Sequence, residues 1–410
     1  MHYTINITIL QHYTIKRLHS VIQAHIKRNH THYLVPQWSK DLAMPRIDAI
    51  NVFLQMTGCT DSKRMLYLTY FEFLITLYYF IASYVSIIYY EQSVSIQLFT
   101  LLCMLIESYI LLNITFRIYH KNQFREMDQY SKQLGIPDDY QSKINIITMY
   151  HLIASNMFVI FPVTYTILYD SVRVGDPFTF PFLDVLPIKT RNLVIYACKY
   201  FVYAISVYIA HIELCFINTT FIYYVGVLKY RLETIVQTIR EAVVDNDEQK
   251  MKYAVIQHQR LLIYFNTMKI VFTKPILQSM SFNAIYFGLT TTLVIQAIRG
   301  YINQTIVSIC IASGIAAIIN ITIYTFYGSV LLDLHDEILR VLFDNSFFYV
   351  NKSFKRSILI MMARATIPLT FTVGYIFTIN LNLLLKIVKM SYTVLNVLLS
   401  SEAIKPHKMS

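Results

Sequence analysis

Three glutamates, Glu72, Glu107 and Glu213, lie inside long apolar stretches of the sequence. A carboxylate in such surroundings is costly to bury, so it normally faces a partner or a water-filled cavity. A hydrogen bond or ion pair to a neighbouring helix would explain each one structurally. A role in holding an ion or a ligand is the alternative, and the sequence leaves both open.

No other group of polar residues has the spacing of a catalytic or metal site. Six of the twelve histidines lie within the first 32 residues, but none has the spacing of a metal-binding helix. Serine, histidine and aspartate occur without a nucleophile elbow. The five cysteines have no paired spacing. We therefore expect no enzyme activity, no metal and no cofactor.

The last long apolar stretch carries a polar stripe beside an apolar one. Leu381, Leu385, Val388, Tyr392, Leu395 and Leu399 follow one another at four- and three-residue steps, which places them on one face of a helix. The polar stripe next to them consists of Asn382, Lys386, Lys389, Thr393 and Asn396. This helix could line a channel, with Lys386 and Lys389 in the cytoplasmic vestibule. The same stripe could instead be buried against neighbouring helices.

Aromatic and methionine side chains are concentrated in the halves of the helices that we predict to be extracellular. Such side chains can line an apolar cavity for a small molecule, although each could also simply pack against another helix or lipid. The predicted ligand-binding residues are Tyr84, Met104, Met157, Phe158, Phe161, Tyr165, Tyr200, Tyr203, Phe282 and Tyr286.

The overall composition favours a membrane protein. The 410 residues are 55% hydrophobic and only 14% charged, which is too apolar for ordinary soluble domains. The net charge of +11 does not indicate nucleic-acid binding, because lysine and arginine fall between the apolar stretches and not on one face. We predict an all-α fold in a single domain.

Seven stretches are long enough to cross a bilayer as helices. They are residues 66–90, 94–118, 146–168, 193–217, 274–298, 304–331 and 374–399. The segment before the first span and every second connection after it hold 25 lysines and arginines, whereas the alternate segments hold six. Because the basic side faces the cytoplasm, the N-terminus is predicted inside and the C-terminus outside.

Helices four to seven are predicted to extend into a cytoplasmic anchor bundle. From Leu193 to Val243 the only helix breaker is Gly226, and a helix of this length would span on the order of 75 Å. The fifth helix is predicted to begin near Asp247. The predicted organisation is a cytoplasmic segment 1–64, helices and loops 65–399 with anchor parts at about 218–273 and 333–382, and an extracellular tail 400–410.

Several motifs resemble the insect odorant receptor family. One of them is the outer loop Phe180–Asp184, although it lacks the tryptophan usual there. The other matching motifs lie between Phe326 and Leu399 and are Tyr327-Gly328, the run from Ser357 to Leu369, Thr372-Val373-Gly374-Tyr375, Asn380-Leu381-Asn382 and Ser391-Tyr392-Thr393.

The resemblance implies a subunit of a ligand-gated, non-selective cation channel that opens on binding a small volatile compound. It further implies a tetramer with a shared olfactory co-receptor, a central pore lined by four seventh helices, and an odorant held in the outer half of the bundle. By position, Tyr392, Leu395 and Leu399 would lie at the pore and gate, and the adjoining Asn396 would meet permeating water. The expected location is the plasma membrane of a sensory neuron dendrite.

Two other classes of protein are compatible with a seven-span sequence. A gustatory-type homomeric channel would have the same fold, but the sequence lacks the Gln-Phe ending typical of those receptors and has Leu398-Leu399 instead. A G-protein-coupled receptor is disfavoured by the predicted inside N-terminus.

Overall fold

The computed structural model describes residues 63–89, 94–133, 136–150, 193–298, 304–343, 351–373 and 377–403. All of them belong to one compact unit, Asp48–Ser410. Residues 1–62 of the predicted N-terminal segment, most of the third span, the loop Phe180–Asp184 and residues 404–410 of the predicted tail lie outside the described residues.

The described residues are almost entirely helical. In chain order the helices are α1 (Lys63–Tyr89), α2 (Val94–Tyr119), α3 (Lys121–Gln133), α4 (residues 138–150), α5 (Leu193–Val244), α6 (Glu248–Ile298), α7 (Gln304–Phe343), α8 (Lys352–Ala365) and α9 (Leu381–Ala403). Two strands of two residues each, β1 (Thr372–Val373) and β2 (Phe377–Thr378), pair antiparallel between α8 and α9.

The prediction of two very long helices is confirmed. Helix α5 runs without interruption for 52 residues through Gly226, and α6 runs for 51 residues through Pro275. An added Cβ at Gly226 would lie 3.2 Å from the Ile144 side chain. Gly226 is therefore not a break but a point where α4 packs closely against α5.

The turn between α5 and α6 is also as predicted. Asn246 has φ 50, a left-handed conformation that asparagine tolerates better than most residues. The Asn246 amide donates to the Val243 carbonyl and the Asp247 amide to that of Ala242, which together close a Schellman motif. Asp247 Oδ1 then accepts the amides of Gln249 and Lys250 and caps α6. The long helices are thereby joined as an antiparallel pair.

The predicted start of the seventh span, residue 374, is wrong. The helix begins at Leu381, because the preceding residues form the β1–β2 hairpin, and it ends at Ala403. Thr372, Val373 and Phe377 are β-branched or aromatic residues, which favour strands. Asn380 then accepts the Leu383 amide on its side chain and starts the helix.

Most of the core lies around α5, α6 and α7, against which the other helices pack. Phe221 is fully buried, and its ring centroid lies 5.3 to 5.4 Å from those of Phe272, Tyr324 and Phe371. We call the buried residues connected to Phe221 the inner core. The inner core includes residues of both predicted anchor parts, such as Ile239 and Ile358.

Helix α1 exposes a continuous apolar stripe. Its side chains are between 39% and 72% exposed and follow one another at alternating four- and three-residue steps: Tyr67, Phe71, Leu74, Tyr78, Ile81, Val85 and Ile88. A soluble monomer rarely exposes so long an apolar surface. Within the described residues, two segments are by themselves long and apolar enough to cross a membrane, Thr100–Tyr119 and Gly314–Phe343.

Candidate ligand and pore site

A second, smaller apolar cluster lies between α2, α6 and α7. Its buried members are Leu102, Tyr286, Leu293 and Ala317. Phe282 packs against them, and its ring stacks on Tyr286 at 5.4 Å between centroids. We call this set the outer cluster, because it lies in the helix halves that we predict to be extracellular.

The outer cluster brings together two of the predicted ligand-binding residues, Phe282 and Tyr286. Met104 is half-buried on α2, whereas Tyr84 is 53% exposed on α1 and is not part of the cluster. Tyr200 and Tyr203 belong to α5, but their side chains are outside the described residues, as are Met157, Phe158, Phe161 and Tyr165.

Several members of this region were missed by the sequence prediction. The most prominent is Tyr109 of α2, which is 4% exposed and stacks on Phe282 with 4.5 Å between ring centroids. The helical spacing could have found it. Residues 102, 106 and 109 of α2 and residues 282, 286, 289 and 293 of α6 each follow four- and three-residue steps, so each set lies on one helix face.

Two of the three glutamates, Glu72 and Glu213, share one arginine. Nη2 of Arg117 lies 2.9 Å from Glu72 Oε2 and 2.5 Å from Glu213 Oε1, and its side chain is only 2% exposed. The guanidinium carbon also lies 5.7 Å from the ring centroid of Phe216. These contacts join α1, α2 and α5. They match the structural explanation for Glu72 and Glu213.

The position of Arg117 corrects one detail of the charge count. Arg117 is one of the 25 basic residues that the sequence places on the cytoplasmic side, in the connection between the second and third spans, but the structure places it inside α2, where its charge is paired. One residue of the 25 does not alter the excess over six. Glu107, the third glutamate, accepts a 3.4 Å hydrogen bond from Ser83 of α1, so it too contacts a neighbouring helix.

A polar contact between α5 and α7 adjoins the inner core. The Asn218 side-chain amide donates to Asn320 Oδ1 at 2.7 Å, and the hydroxyl of Tyr324 donates to Asn218 Oδ1. Tyr324 is fully buried. Satisfied polar contacts of this kind fix the relative position of two helices, because a shift would leave buried polar atoms unpaired.

Two histidines are buried in the predicted anchor. His258 of α6 and His335 of α7 are each 1% exposed. Nε2 of His335 lies 2.7 Å from the Ala365 carbonyl oxygen, which can only accept, so this nitrogen carries the proton. Burial, and secondarily the neighbouring His335, lowers the pKa of His258 to about 4. His258 is therefore neutral in the folded protein at physiological pH.

Helix α9 presents much of its length to the outside of the chain. Lys386, Lys389, Tyr392 and Asn396, which the sequence assigns to the vestibule and the pore, are all exposed. The side chains of Leu395 and Leu399 are outside the described residues. The polar stripe of α9 is thus not covered by the described helices of its own chain.

Comparison with known proteins agrees with this architecture. The family model for the 7tm odorant receptors matches residues 94–392. The fold is similar to that of the insect olfactory receptor OR5 from Machilis hrabei in complex with eugenol, with a TM-score of 0.72 and 13% identity over 86% of this chain and 97% of that one. A second structure of the same receptor OR5 gives a TM-score of 0.68 and 13% identity over 83% of this chain and 90% of that one. No curated protein sequence matches.

The fold is therefore that of an all-α, seven-transmembrane-helix membrane protein. The family match covers most of the sequence and includes α2 and the larger part of α9. The chain belongs to the odorant receptor family.

Proposed function

We propose that the chain is the odorant-binding subunit of a ligand-gated, non-selective cation channel that assembles with a shared olfactory co-receptor. The observation that carries this proposal is the family match over residues 94–392. The exposed polar stripe of α9 supplies a surface suited to lining a pore. The aromatic outer cluster supplies a site suited to binding an odorant.

The ligand is a small, volatile and mostly apolar molecule held near the outer cluster. Phe282, Tyr286 and Tyr109 offer stacked ring faces and two hydroxyls. The related OR5 was solved with eugenol, which supports this ligand class. Burial of roughly 200 to 300 Å² at about 25 cal/mol per Å² stabilises the complex by about 5 to 8 kcal/mol before the costs of association. The affinity is then about micromolar.

The pore forms where the α9 helices of the subunits meet. Leu395 and Leu399 are four residues apart, which is about 6 Å along one face of a helix. Converging leucines make a constriction too apolar to hold continuous water, so the closed pore needs no charge to block ions. Asn396 meets permeating water once the leucines separate, and Lys386 and Lys389 line the cytoplasmic vestibule.

Ligand binding opens the channel through its greater affinity for the open state. The orientation follows from the distribution of basic residues, with the N-terminus and the anchor in the cytoplasm. An epitope tag after Ser410 on intact cells tests this directly. Staining only after permeabilisation would contradict the orientation.

The central experiment is expression in cells with the co-receptor, without it, and with the co-receptor alone. We expect cation currents in response to members of a volatile panel that includes eugenol only when both subunits are present. Currents from this chain alone would favour the alternative, a gustatory-type homomeric channel. A response that requires G proteins and no channel subunit would favour a G-protein-coupled receptor.

Two substitutions test the pore assignment. Leu399→Ala should raise the ligand-independent current, and Asn396→Asp should change the relative calcium permeability, both in the presence of the co-receptor. Asn351→Asp is the matched control, because Asn351 is exposed at the start of α8 and its side chain makes no capping hydrogen bond. Wild-type conduction by both pore variants at the cell surface would place the pore elsewhere.

A further inference from the structure

The backbone of α7 touches the segment that leads into α9. A Cβ built at Gly328 would overlap the carbonyl oxygen of Ile379, and it would lie 3.0 Å from that carbonyl carbon and 3.1 Å from Ile379 Cγ2. Ordinary carbon–oxygen contacts are about 3.3 Å or longer. Any side chain at position 328 therefore forces α7 and Ile379 apart.

The next residue of α7 holds the first amide of α9. Ser329 Oγ accepts a 2.9 Å hydrogen bond from the Leu381 amide. The first amides of a helix have no acceptor within the helix, so the Ser329 hydroxyl supplies the acceptor for the first amide of α9. Ile379 is itself 1% exposed, and its amide donates to the Phe371 carbonyl oxygen at 2.9 Å.

This attachment continues into the inner core. Phe371 is fully buried, with its ring 5.1 Å from that of Phe265 and 5.4 Å from that of Phe221. Leu383, in the first turn of α9, is also part of the inner core. The beginning of α9 is thus fixed to the most tightly packed part of the protein.

The later turns of α9 differ in their surroundings. From Lys386 onward the helix exposes Val388, Lys389, Met390 and Tyr392, with Val388 49% and Met390 60% exposed. A helix that is fixed at its first turn and exposed at these later positions can tilt about its fixed end while its hydrogen bonds stay intact.

We propose that Gly328 and Ser329 are positioning residues that hold the first turn of α9 and form the pivot about which this helix moves when the channel opens. This inference rests on the proposed channel function, in which α9 lines the pore. Gly328 allows the close approach, and Ser329 supplies the hydrogen bond. Together they set the balance between the closed and open positions of α9.

The test uses the full-length chain co-expressed with the co-receptor. Gly328→Ala and Ser329→Ala are compared with Gly314→Ala, the same substitution on the same helix, where an added Cβ would lie 3.7 Å from the Thr290 hydroxyl in ordinary contact. Each variant is measured for surface expression, unliganded current and half-maximal odorant concentration. Hydrogen exchange of residues 379–385 is measured on the purified protein.

We expect Gly328→Ala to change the half-maximal concentration or the unliganded current by about fivefold or more, the lower end of typical coupling between sites. Exchange at residues 379–385 should accelerate in both Gly328→Ala and Ser329→Ala, and Gly314→Ala should behave as wild type. If Gly328→Ala does not reach the surface, Ser329→Ala decides the matter, since it removes one oxygen and adds no bulk.

Wild-type currents and wild-type exchange in both variants would overturn the pivot. Accelerated exchange with altered gating would support it. If the wild-type complex gives no current with any odorant but the variants still accelerate exchange, the proposed channel function fails while the positioning role of the two residues stands. The exchange measurement thus separates the two proposals.

Discussion

The inner core and the outer cluster are built from similar residues but are packed differently. Phe221 in the inner core is fully buried and contacts aromatic rings from α6, α7 and the segment before β1. In the outer cluster Phe282 is only half-buried, although its ring stacks on both Tyr109 and Tyr286. Aromatic side chains are therefore fully enclosed around Phe221, whereas the ring at the centre of the outer stack, Phe282, is only partly enclosed.

Arg117 connects the two regions. It lies two turns after Tyr109 on α2, and its guanidinium group lies over Phe216 of the inner core. Its two carboxylate partners come from α1 and α5. The ion-pair network thus ties α2, which carries Tyr109, to α1 and α5.

The largest effect is expected from Arg117→Ala. It leaves the fully buried Glu213 and the partly exposed Glu72 without their partner, and the loss of stability should be about 3 to 5 kcal/mol. Thermal unfolding of the purified protein and surface expression would measure it. Arg240→Ala is the control, because Arg240 is 52% exposed in its pair with Glu337 and an exposed pair contributes at most about 1 kcal/mol. Equal losses for the two variants would refute the importance of the network.

Phe221→Ala should destabilise the protein by a similar amount, about 3 to 5 kcal/mol, because it opens a cavity in a fully buried aromatic cluster. Denaturation of the detergent-solubilised protein gives the value. An equal loss of stability in Phe282→Ala would contradict the conclusion that the inner core is packed more tightly than the outer cluster.

His258 should make the free energy of unfolding depend on pH, with an effect of intermediate size. Its pKa of about 4 in the folded protein lies below the ordinary value of 6.5, so the folded state favours the neutral form. Stability is therefore fully present above about pH 6.5 and decreases as the pH falls toward 4, by about 2 to 3 kcal/mol. His258→Phe should remove this part of the dependence when unfolding is measured at several pH values. Parallel pH curves for the variant and the wild type would contradict the assignment.

The smallest effect on stability is expected in the outer cluster, where Phe282→Ala should cost about half as much as Phe221→Ala. Its principal effect should be on the odorant response, with a loss of potency of about tenfold, equivalent to about 1.4 kcal/mol. Dose-response curves with the co-receptor would measure this. Phe71→Ala, on the exposed stripe of α1, is the matched control and should leave potency unchanged.

The sequence predicted the secondary structure well wherever a single helix carried the signal. The lengths of α5 and α6 and the turn at Asp245–Glu248 followed from continuous helical spacing and from capping residues, which are local properties. The start of α9 was misplaced by seven residues, because Thr372 to Thr378 is apolar enough to resemble part of a span. Apolar character alone does not distinguish a short hairpin from a helix.

The candidate site was predictable only in part. Aromatic composition and helical spacing pointed to Phe282 and Tyr286, but not to Tyr109, which joins them from another helix. Nothing local indicates that Arg117 meets both Glu72 and Glu213, since the three residues come from helices far apart in the sequence.

By itself, then, the sequence determined the helices, their apolar faces and the family motifs, because these depend on neighbours within a few turns of the chain. Only the tertiary structure decided which faces meet. It joined Gly328 to Ile379, Arg117 to its two carboxylates and Tyr109 to Phe282, and it left Val388, Met390 and Tyr392 of α9 exposed. The physical reason is that each of these contacts depends on the packing of helices against one another, which no local pattern encodes.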